Sequence, residues 1–311
     1  MANIRLVAVV VTYNRLEKLK KALMSYDTQT QQFSYLVVVN NCSTDGTEDY
    51  LKEWEQIPAK YEKHVFKTES NIGGAGGFYT GMAYAMKLAP DWVWLADDDA
   101  YPENDSFEKF YGFIAVHKNI ENVSAICASV IKPDGNIDIE HRGYISHGLY
   151  WRRRDSNAND YLVDYFKIDL LSYVGVAINV KALFKVGLTK KDFFIHFDDS
   201  EHSLRLRKVG DILCVPSIHV IHDAYNSTSS DKGRNYNWKT YYGIRNIIYS
   251  FLRHHIPTAI IWTVRIVLWQ NFLFLTGRIN KKSIKLMMTA VWDGWKGNLG
   301  IHDLYKPGFK I

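Results

Sequence analysis

Four short apolar runs, "IRLVAVVV", "YLVVV", "HVFK" and "WVWLA", are spaced through the first hundred residues with a polar turn and a helix-length segment between each pair. The intervening segments are a helix from about Arg15 to Ser25, "TEDYLKEWEQ" with Thr44 or Asp45 as its cap, and "NIGGAGGFYTGMAYAMKL". This β-α-β-α-β-α-β order leaves few arrangements open, and it predicts an α/β fold with a largely parallel sheet and helices on both faces. Ligands of such sheets bind outside the carboxyl ends of the strands, which is where "TYNR", "NNCSTDG" and "DDDA" fall.

The pattern changes after Pro102. A helix around "SFEKFYGFIAVHK" and a strand "SAICASVI" lead to the turn "PDGN", which predicts antiparallel pairing, and then to a polar, irregular stretch from about Asp138 to Asp164 containing "WRRRDSNAND". The strand "SYVGVAINV", the segment "FFIHFDDSEHSLRLRKVG" and the strand "ILCVPSIHVIHDAY" follow. At 311 residues the chain exceeds the usual single-domain size, so one main domain with an appendage is expected.

Charge locates the appendage. Residues 251–311 carry nine Lys or Arg against two acids, an excess of +7, so the net +5 of the chain leaves −2 on the first 250 residues. No nucleic-acid partner is expected for a main body of that charge. Within this tail "IPTAIIWTVRIVLWQNFLFLTG" is interrupted by Arg265, Gln270 and Asn271 and is predicted to fall short of a spanning helix. Two readings stay open: interfacial binding anchored by Trp262, Trp269, Trp292 and Trp295, or a helical hairpin packed on the main domain. Cys42, Cys127 and Cys214 show no C-x-x-C pairing, so a reducing compartment is expected, and "MANIRLVAVVVTYNR" reads as a buried strand without a signal peptide.

Three segments carry candidate chemistry. In "WVWLADDDAYPE" strand alternation puts Asp97 and Asp99 on one side and Asp98 on the other. The pair either holds a divalent cation or belongs to a solvated turn closed by Pro102. "NIGGAGGFYTGM" lacks the Lys-Ser/Thr of a P-loop, and Gly73, Gly74, Gly76 and Gly77 are expected to let backbone approach a ligand at a helix start. In "HFDDSEHSLRLRKVG" Asp198 and Asp199 begin a helix, where they serve either as capping carboxylates or as a general base. His196, His202, His219 and His222 do not have the spacing of a closed zinc site, but one of them can join carboxylates around Mg²⁺ or Mn²⁺.

Taken in order, "VVVTYNR", "VVVNNCSTDGT", "SNIGGAGGFYTGM", "WLADDDA", "FIHFDDSEHSLRLRKVG" and "IHDAY…NWKTYYGIRN" resemble family 2 glycosyltransferases over about residues 4–250, with the look of the bacterial galactofuranosyltransferase and rhamnosyltransferase branch. The resemblance implies a GT-A fold, a Rossmann-like mixed, mostly parallel sheet, with residues 1–250 as the catalytic domain and 251–311 as a basic helical extension. It implies that Thr12, Tyr13 and Arg15 line the nucleotide pocket. Asn40 stands where the family usually has a base-reading aspartate, and Cys42 where Gly or Ala is common. Asp97, Asp99 and His222 would hold Mn²⁺ or Mg²⁺ against the donor diphosphate, with Asp98 near the donor sugar or ribose. Asp199 would be the base, with Asp198 beside it. Trp238, Tyr242 and Arg245 would approach the pocket, although the two aromatic residues fit an aromatic core helix equally well.

The implied activity is metal-dependent, inverting transfer of galactofuranose, or else rhamnose, from a UDP- or dTDP-linked donor to a hydroxyl of a growing, lipid-linked cell-surface glycan. The implied location is cytoplasmic, peripheral on the inner face of the membrane, and self-association into a homo-oligomer is compatible with it. A sugar nucleotidyltransferase is the second reading, but "TYNRLEKLKK" offers no glycine after the first strand. A third is an inactive glycan-binding or membrane-scaffold protein. A processive synthase is disfavoured, because no Trp follows an Arg to complete Q-x-x-R-W.

Overall fold

A computed structural model describes residues 4–224, 236–309 and 311. Tyr225, the last residue of "IHDAY", lies outside them. In chain order the elements are β1 (Leu6–Thr12), α1 (Leu16–Asp27), β2 (Tyr35–Asn40), α2 (Thr47–Gln56), β3 (Glu62–Lys67), α3 (Gly73–Ala85), β4 (Trp92–Asp97), β5 (Ala100–Pro102), α4 (Ser106–Val116) and β6 (Val123–Ile131). Then follow β7 (Arg142–Ser146), β8 (Arg152–Asp155), β9 (Phe166–Ile168), β10 (Leu170–Leu171), β11 (Val176–Asn179), α5 (Val180–Val186), α6 (Asp198–Leu206), β12 (Asp211–His222), α7 (Trp238–His254), α8 (Ile256–Leu275) and α9 (Lys281–Lys296).

Among the described residues the main sheet has nine strands in the order β3-β2-β1-β4-β11-β6-β12-β5, with β9 also on β12. β1, β2, β3 and β4 pair in parallel, as do β6 and β12, whereas β11 runs antiparallel to both β4 and β6. The first strand is apolar from Leu6 to Val11 because both of its faces are covered. Leu6, Ala8 and Val10 join Leu23, Trp54 and Phe107 on one side, while Val7, Val9 and Val11 join Phe78 and Met82 on the other. Parallel pairing in register, Thr12 beside Asn40 and Val11 beside Asp97, brings the ends of β1, β2 and β4 to one edge.

Two local expectations change. "PDGN" closes only a single bridge, Ile131 to Ile137, because both edges of β6 are taken by β11 and β12. The polar stretch after it is ordered: β7 and β8 form an antiparallel hairpin that, with β10, makes a second small sheet. Arg142 fastens this sheet to the main one. Fully buried, it donates from Nε and Nη2 to Ala128 O at 3.0 and 2.8 Å and from Nη2 to Val174 O at 2.7 Å.

The tail is a helical layer. α7, which runs across position 250, packs with α8 and α9 around Tyr241, Tyr242, Ile248, Ile266, Leu286 and Ala290. Against expectation, α8 is long and apolar enough to cross a membrane by length and composition, and most of it is not buried against the rest of the protein. Ile256, Ile260, Val264, Leu268 and Phe272 form an exposed stripe along it. Trp269, Trp292 and Trp295 are exposed beside that stripe, but Trp262 is drawn into the helical core and is not free to anchor.

Candidate active site

β4 stops at Asp97, so Asp98 and Asp99 belong to the turn before β5 and strand alternation does not govern them. Instead of facing apart, Asp98 and Asp99 share one guanidinium: Arg15 Nη1 lies 3.2 Å from Asp98 Oδ1 and 2.7 Å from Asp99 Oδ2. Thr12 Oγ1 donates to Asp98 Oδ2 at 2.7 Å. Lys18, one turn along α1 from Arg15, approaches Asp99 Oδ2 at 3.8 Å, and His222 Nε2 lies 3.5 Å from Asp99 Oδ1.

The three carboxyls differ accordingly. Burial tends to raise Asp99, but the His222 hydrogen bond and the Arg15 charge outweigh it and hold it below the usual carboxylate range. Burial pushes Asp98 up to about 6 against the pull of Arg15 and Thr12. Asp97 is raised well above the ordinary range by burial, then by Asp99 and Asp98.

The second acidic segment meets the first. Asp198 and Asp199 open α6, where the helix N-terminus favours negative charge, and Asp198 is near enough to add to the repulsion felt by Asp97. Both are raised, chiefly by burial; Asp199 adds to the rise of Asp198, while Asp199 is opposed by the Ser200 N–H, which donates to its Oδ1 at 2.5 Å, and by the Arg153 guanidinium. Arg153 comes from β8, lies across Gly143, and donates to Asp155 Oδ1 and Glu140 O. Half-buried His141 packs its ring 4.8 Å from that of His222. Lys18, His141 and Arg153 escaped sequence reading; only Lys18, three residues after Arg15 and so on the same helix face, carried a readable signal.

Other expected site residues are placed differently. Asn40 is buried at the end of β2 with its amide oxygen accepting from Ser43 N at 2.9 Å, so that oxygen serves the turn and not a base. Cys42 sits at φ 61°, the left-handed region that favours glycine. Tyr13 is exposed at the mouth of the site. Trp238 and Tyr242 pack in the helical core. Arg245 is buried and donates to Gly300 O, Asp192 O and Phe193 O, which ties it to the scaffold and away from a donor.

The glycines also have protein neighbours. A Cβ on Gly73, at φ +73°, would lie 2.0 Å from Phe194 O; one on Gly77 would lie 2.5 Å from Val11 Cγ1; one on Gly76 would press on Ile72. Close packing of α3 accounts for all three, and only Gly74 faces open space. Gly73→Ala is expected to cost at least about 2 kcal/mol in urea unfolding. Gly74→Ala is expected to leave stability unchanged or raise it by up to about 1 kcal/mol.

Donors suited to a hard divalent cation are present: Asp97 and Asp99 carboxylates and His222, whose Nδ1 is buried without a hydrogen-bond partner. Among the described residues no three His, Cys, Asp or Glu side chains are already drawn together as a metal cluster. The donor types fit such an ion, and the remaining ligands would have to come from substrate or water. Among the described residues no zinc cluster forms either: His202 is held by Tyr173 OH and Gly187 O, and His219 by Glu103.

The mixed sheet flanked by helices has the fold of solved GT-A glycosyltransferases. Staphylococcus aureus TarS 1–349 in complex with UDP-GlcNAc superposes with a TM-score of 0.57 at 15% identity, covering 94% of this chain and 80% of that one. The mannosyltransferase PcManGT from Pyrobaculum calidifontis, in complex with GDP-Man and Mn²⁺, gives 0.55 at 15% identity over 94% and 87%. The sequence model of glycosyl transferase family 2 matches residues 7–187. Galactofuranosyltransferase GlfT1 of Mycobacterium tuberculosis (strain ATCC 25618 / H37Rv) is 30% identical over 208 residues, 65% of this chain and 64% of that protein, so the match spans less than two thirds of the relative. The chain belongs to glycosyl transferase family 2.

Proposed function

We propose that this protein transfers a sugar, galactofuranose in preference to rhamnose, from a UDP- or dTDP-linked donor to a glycan hydroxyl with inversion at the anomeric carbon. The observation that carries the reading is the meeting of two largely buried acidic loops, Asp97–Asp99 and Asp198–Asp199, at one sheet edge. Relatives in the galactofuranosyltransferase branch favour the furanose over rhamnose, and UDP in TarS favours UDP as the carrier.

In this mechanism Thr12, Tyr13 and Arg15 border the nucleotide, Gly74 leaves room beside it, and Asp98 faces the sugar or ribose. Arg15 and Lys18 place positive charge where the diphosphate leaves. Asp97, Asp99 and His222 would hold Mn²⁺ or Mg²⁺, which when bound offsets the charge of the leaving diphosphate. Asp199 takes the proton of the acceptor hydroxyl while its oxygen attacks the anomeric carbon from the side opposite the diphosphate. Asp198 keeps the surroundings of Asp199 acidic and poorly solvated, which suits a base with a raised proton affinity.

We assign residues 1–250 to catalysis and propose that 251–311 bring the enzyme to the cytoplasmic face of a membrane carrying a lipid-linked acceptor. The apolar stripe of α8 and exposed Trp269, Trp292 and Trp295 support this, with Lys281, Lys282 and Lys285 suited to anionic lipid. The activity test is proton NMR of the product. An anomeric configuration opposite to that of the donor is expected, whereas retention would exclude single displacement. Binding to anionic vesicles should be lost in Trp269→Ser/Trp292→Ser, and unchanged binding would remove the membrane role.

A further inference from the structure

The four residues leading into Asp198 contain three non-glycine residues in left-handed backbone: Phe194, His196 and Phe197 at φ 66°, 66° and 68°. Conformations of this kind persist only where their surroundings over-determine them, and they concentrate where geometry matters to function. Here the restraint comes from two consecutive side chains of α7, more than 45 residues away in sequence.

Asn246 Nδ2 donates to Phe193 O at 3.1 Å, Ile195 O at 3.1 Å and His196 O at 2.8 Å, so its two hydrogens serve three carbonyls of the strained segment. Arg245 Nη2 reaches Asp192 O at 3.2 Å and Phe193 O at 3.1 Å. Arg245 Nε donates to Asn246 Oδ1 at 3.0 Å, which fixes the amide with its nitrogen toward the segment. The chain near its end completes the bracket: Gly300 O accepts from Arg245 Nη1 at 2.6 Å, and Gly300 N donates to Asp192 O at 2.7 Å. Both side chains are buried, and among the described residues no carboxylate lies within salt-bridge distance of the Arg245 guanidinium.

The segment's other side faces the glycine-rich helix start. Ala75 N donates to Phe194 O at 3.2 Å, and this is the oxygen that leaves no room for a Cβ on Gly73. The same few residues therefore join the helix start beside the donor to the pair of carboxylates on the acceptor side.

We propose that Arg245 and Asn246 are positioning residues that set Asp198–Asp199 against the glycine-rich helix start, with Gly300 of the C-terminal region holding Arg245 in place. The inference rests on the reading of Asp199 as the base. Neither side chain touches donor or acceptor. Each acts through the backbone of 192–197, and a shift of about 1 Å there is enough to slow turnover by about 10²-fold. A purely structural role would instead loosen the whole molecule and weaken nucleotide binding together with turnover.

The test uses the full chain with Asn246→Asp, which keeps the shape but turns an acceptor toward the three carbonyls, and Arg245→Lys, which keeps the charge but loses the fork. UDP affinity is measured by calorimetry with Mn²⁺, and turnover as UDP release from UDP-galactofuranose with an alkyl glycoside acceptor. The expected result is a kcat about 10²-fold lower for Asn246→Asp and at least about 10-fold lower for Arg245→Lys, with UDP affinity unchanged in both. Should Asn246→Asp not fold, Arg245→Lys decides alone. Unchanged kcat, or kcat and UDP affinity falling in proportion, would overturn the proposal. Asp199→Asn run alongside separates the two failures: wild-type turnover there removes the base assignment, whereas an inactive Asp199→Asn beside fully active clamp variants removes this inference only.

Discussion

Asp199→Asn is expected to lower sugar transfer about 10³-fold while leaving UDP binding unchanged. Asn keeps the size of the side chain and can still accept the Ser200 N–H, so α6 should start in the same place. What disappears is the proton acceptor. Asp199 is suited to the task because burial raises its proton affinity, while the Ser200 N–H opposes that rise. Steady-state kinetics at saturating donor is the check. A variant retaining more than about a tenth of wild-type kcat would mean that another group, or water, takes the proton.

Asp97→Asn is expected to do two opposite things: to stabilise the metal-free protein and to disable it. In the folded chain the Asp97 carboxyl is raised well above its unfolded value of 3.8 by burial and by Asp99 and Asp98. The folded state therefore binds more protons than the unfolded state above about pH 4, so stability falls as pH rises from there through the folded pKa. Asn cannot ionise and removes that loss, so at pH 7 in a chelator the variant should be more stable by about 1 kcal/mol or more. Turnover should fall about 10³-fold, the equivalent of several kcal/mol of charge stabilisation at the leaving diphosphate. Mn²⁺ should raise the Tm of the wild type but not of the variant. Urea titrations with and without chelator, across pH 5 to 8, provide the check. Equal Mn²⁺ stabilisation in both proteins would remove Asp97 from the cation site.

The sheet was legible because its signals are local. The apolar run Leu6–Val11 within "IRLVAVVV" reads as a strand covered on both faces, and the loops after β1, β2 and β4 follow from that. The acidic segments were legible as motifs, but their geometry was not. Alternation assumed that the strand continues through Asp99, whereas it ends at Asp97, and the turn lets Arg15 join Asp98 to Asp99. The glycines were read as making room for a ligand when most make room for Phe194, Ile72 and Val11.

Arg142 and Arg245 show where sequence reading stops. Each is a buried arginine neutralised by backbone carbonyls contributed by distant segments, 14 to 55 residues away, and nothing in the local pattern marks such a partner. The small sheet of β7, β8 and β10 was hidden for a related reason. Its exposed strand "RRRD" has no apolar alternation, so its order comes from tertiary anchoring through Arg142.

The central claim is tested most directly by calorimetry of the purified chain with UDP-galactofuranose, UDP-galactopyranose, UDP-glucose and dTDP-rhamnose, each with Mn²⁺ and again after chelation, followed by assay for transfer from whichever binds. The expected result is Mn²⁺-dependent binding of UDP-galactofuranose and its consumption with release of UDP. Binding of none of the four, together with pyrophosphate release from a nucleoside triphosphate and a sugar phosphate, would contradict the account and assign the aspartate triplet to nucleotidyl transfer.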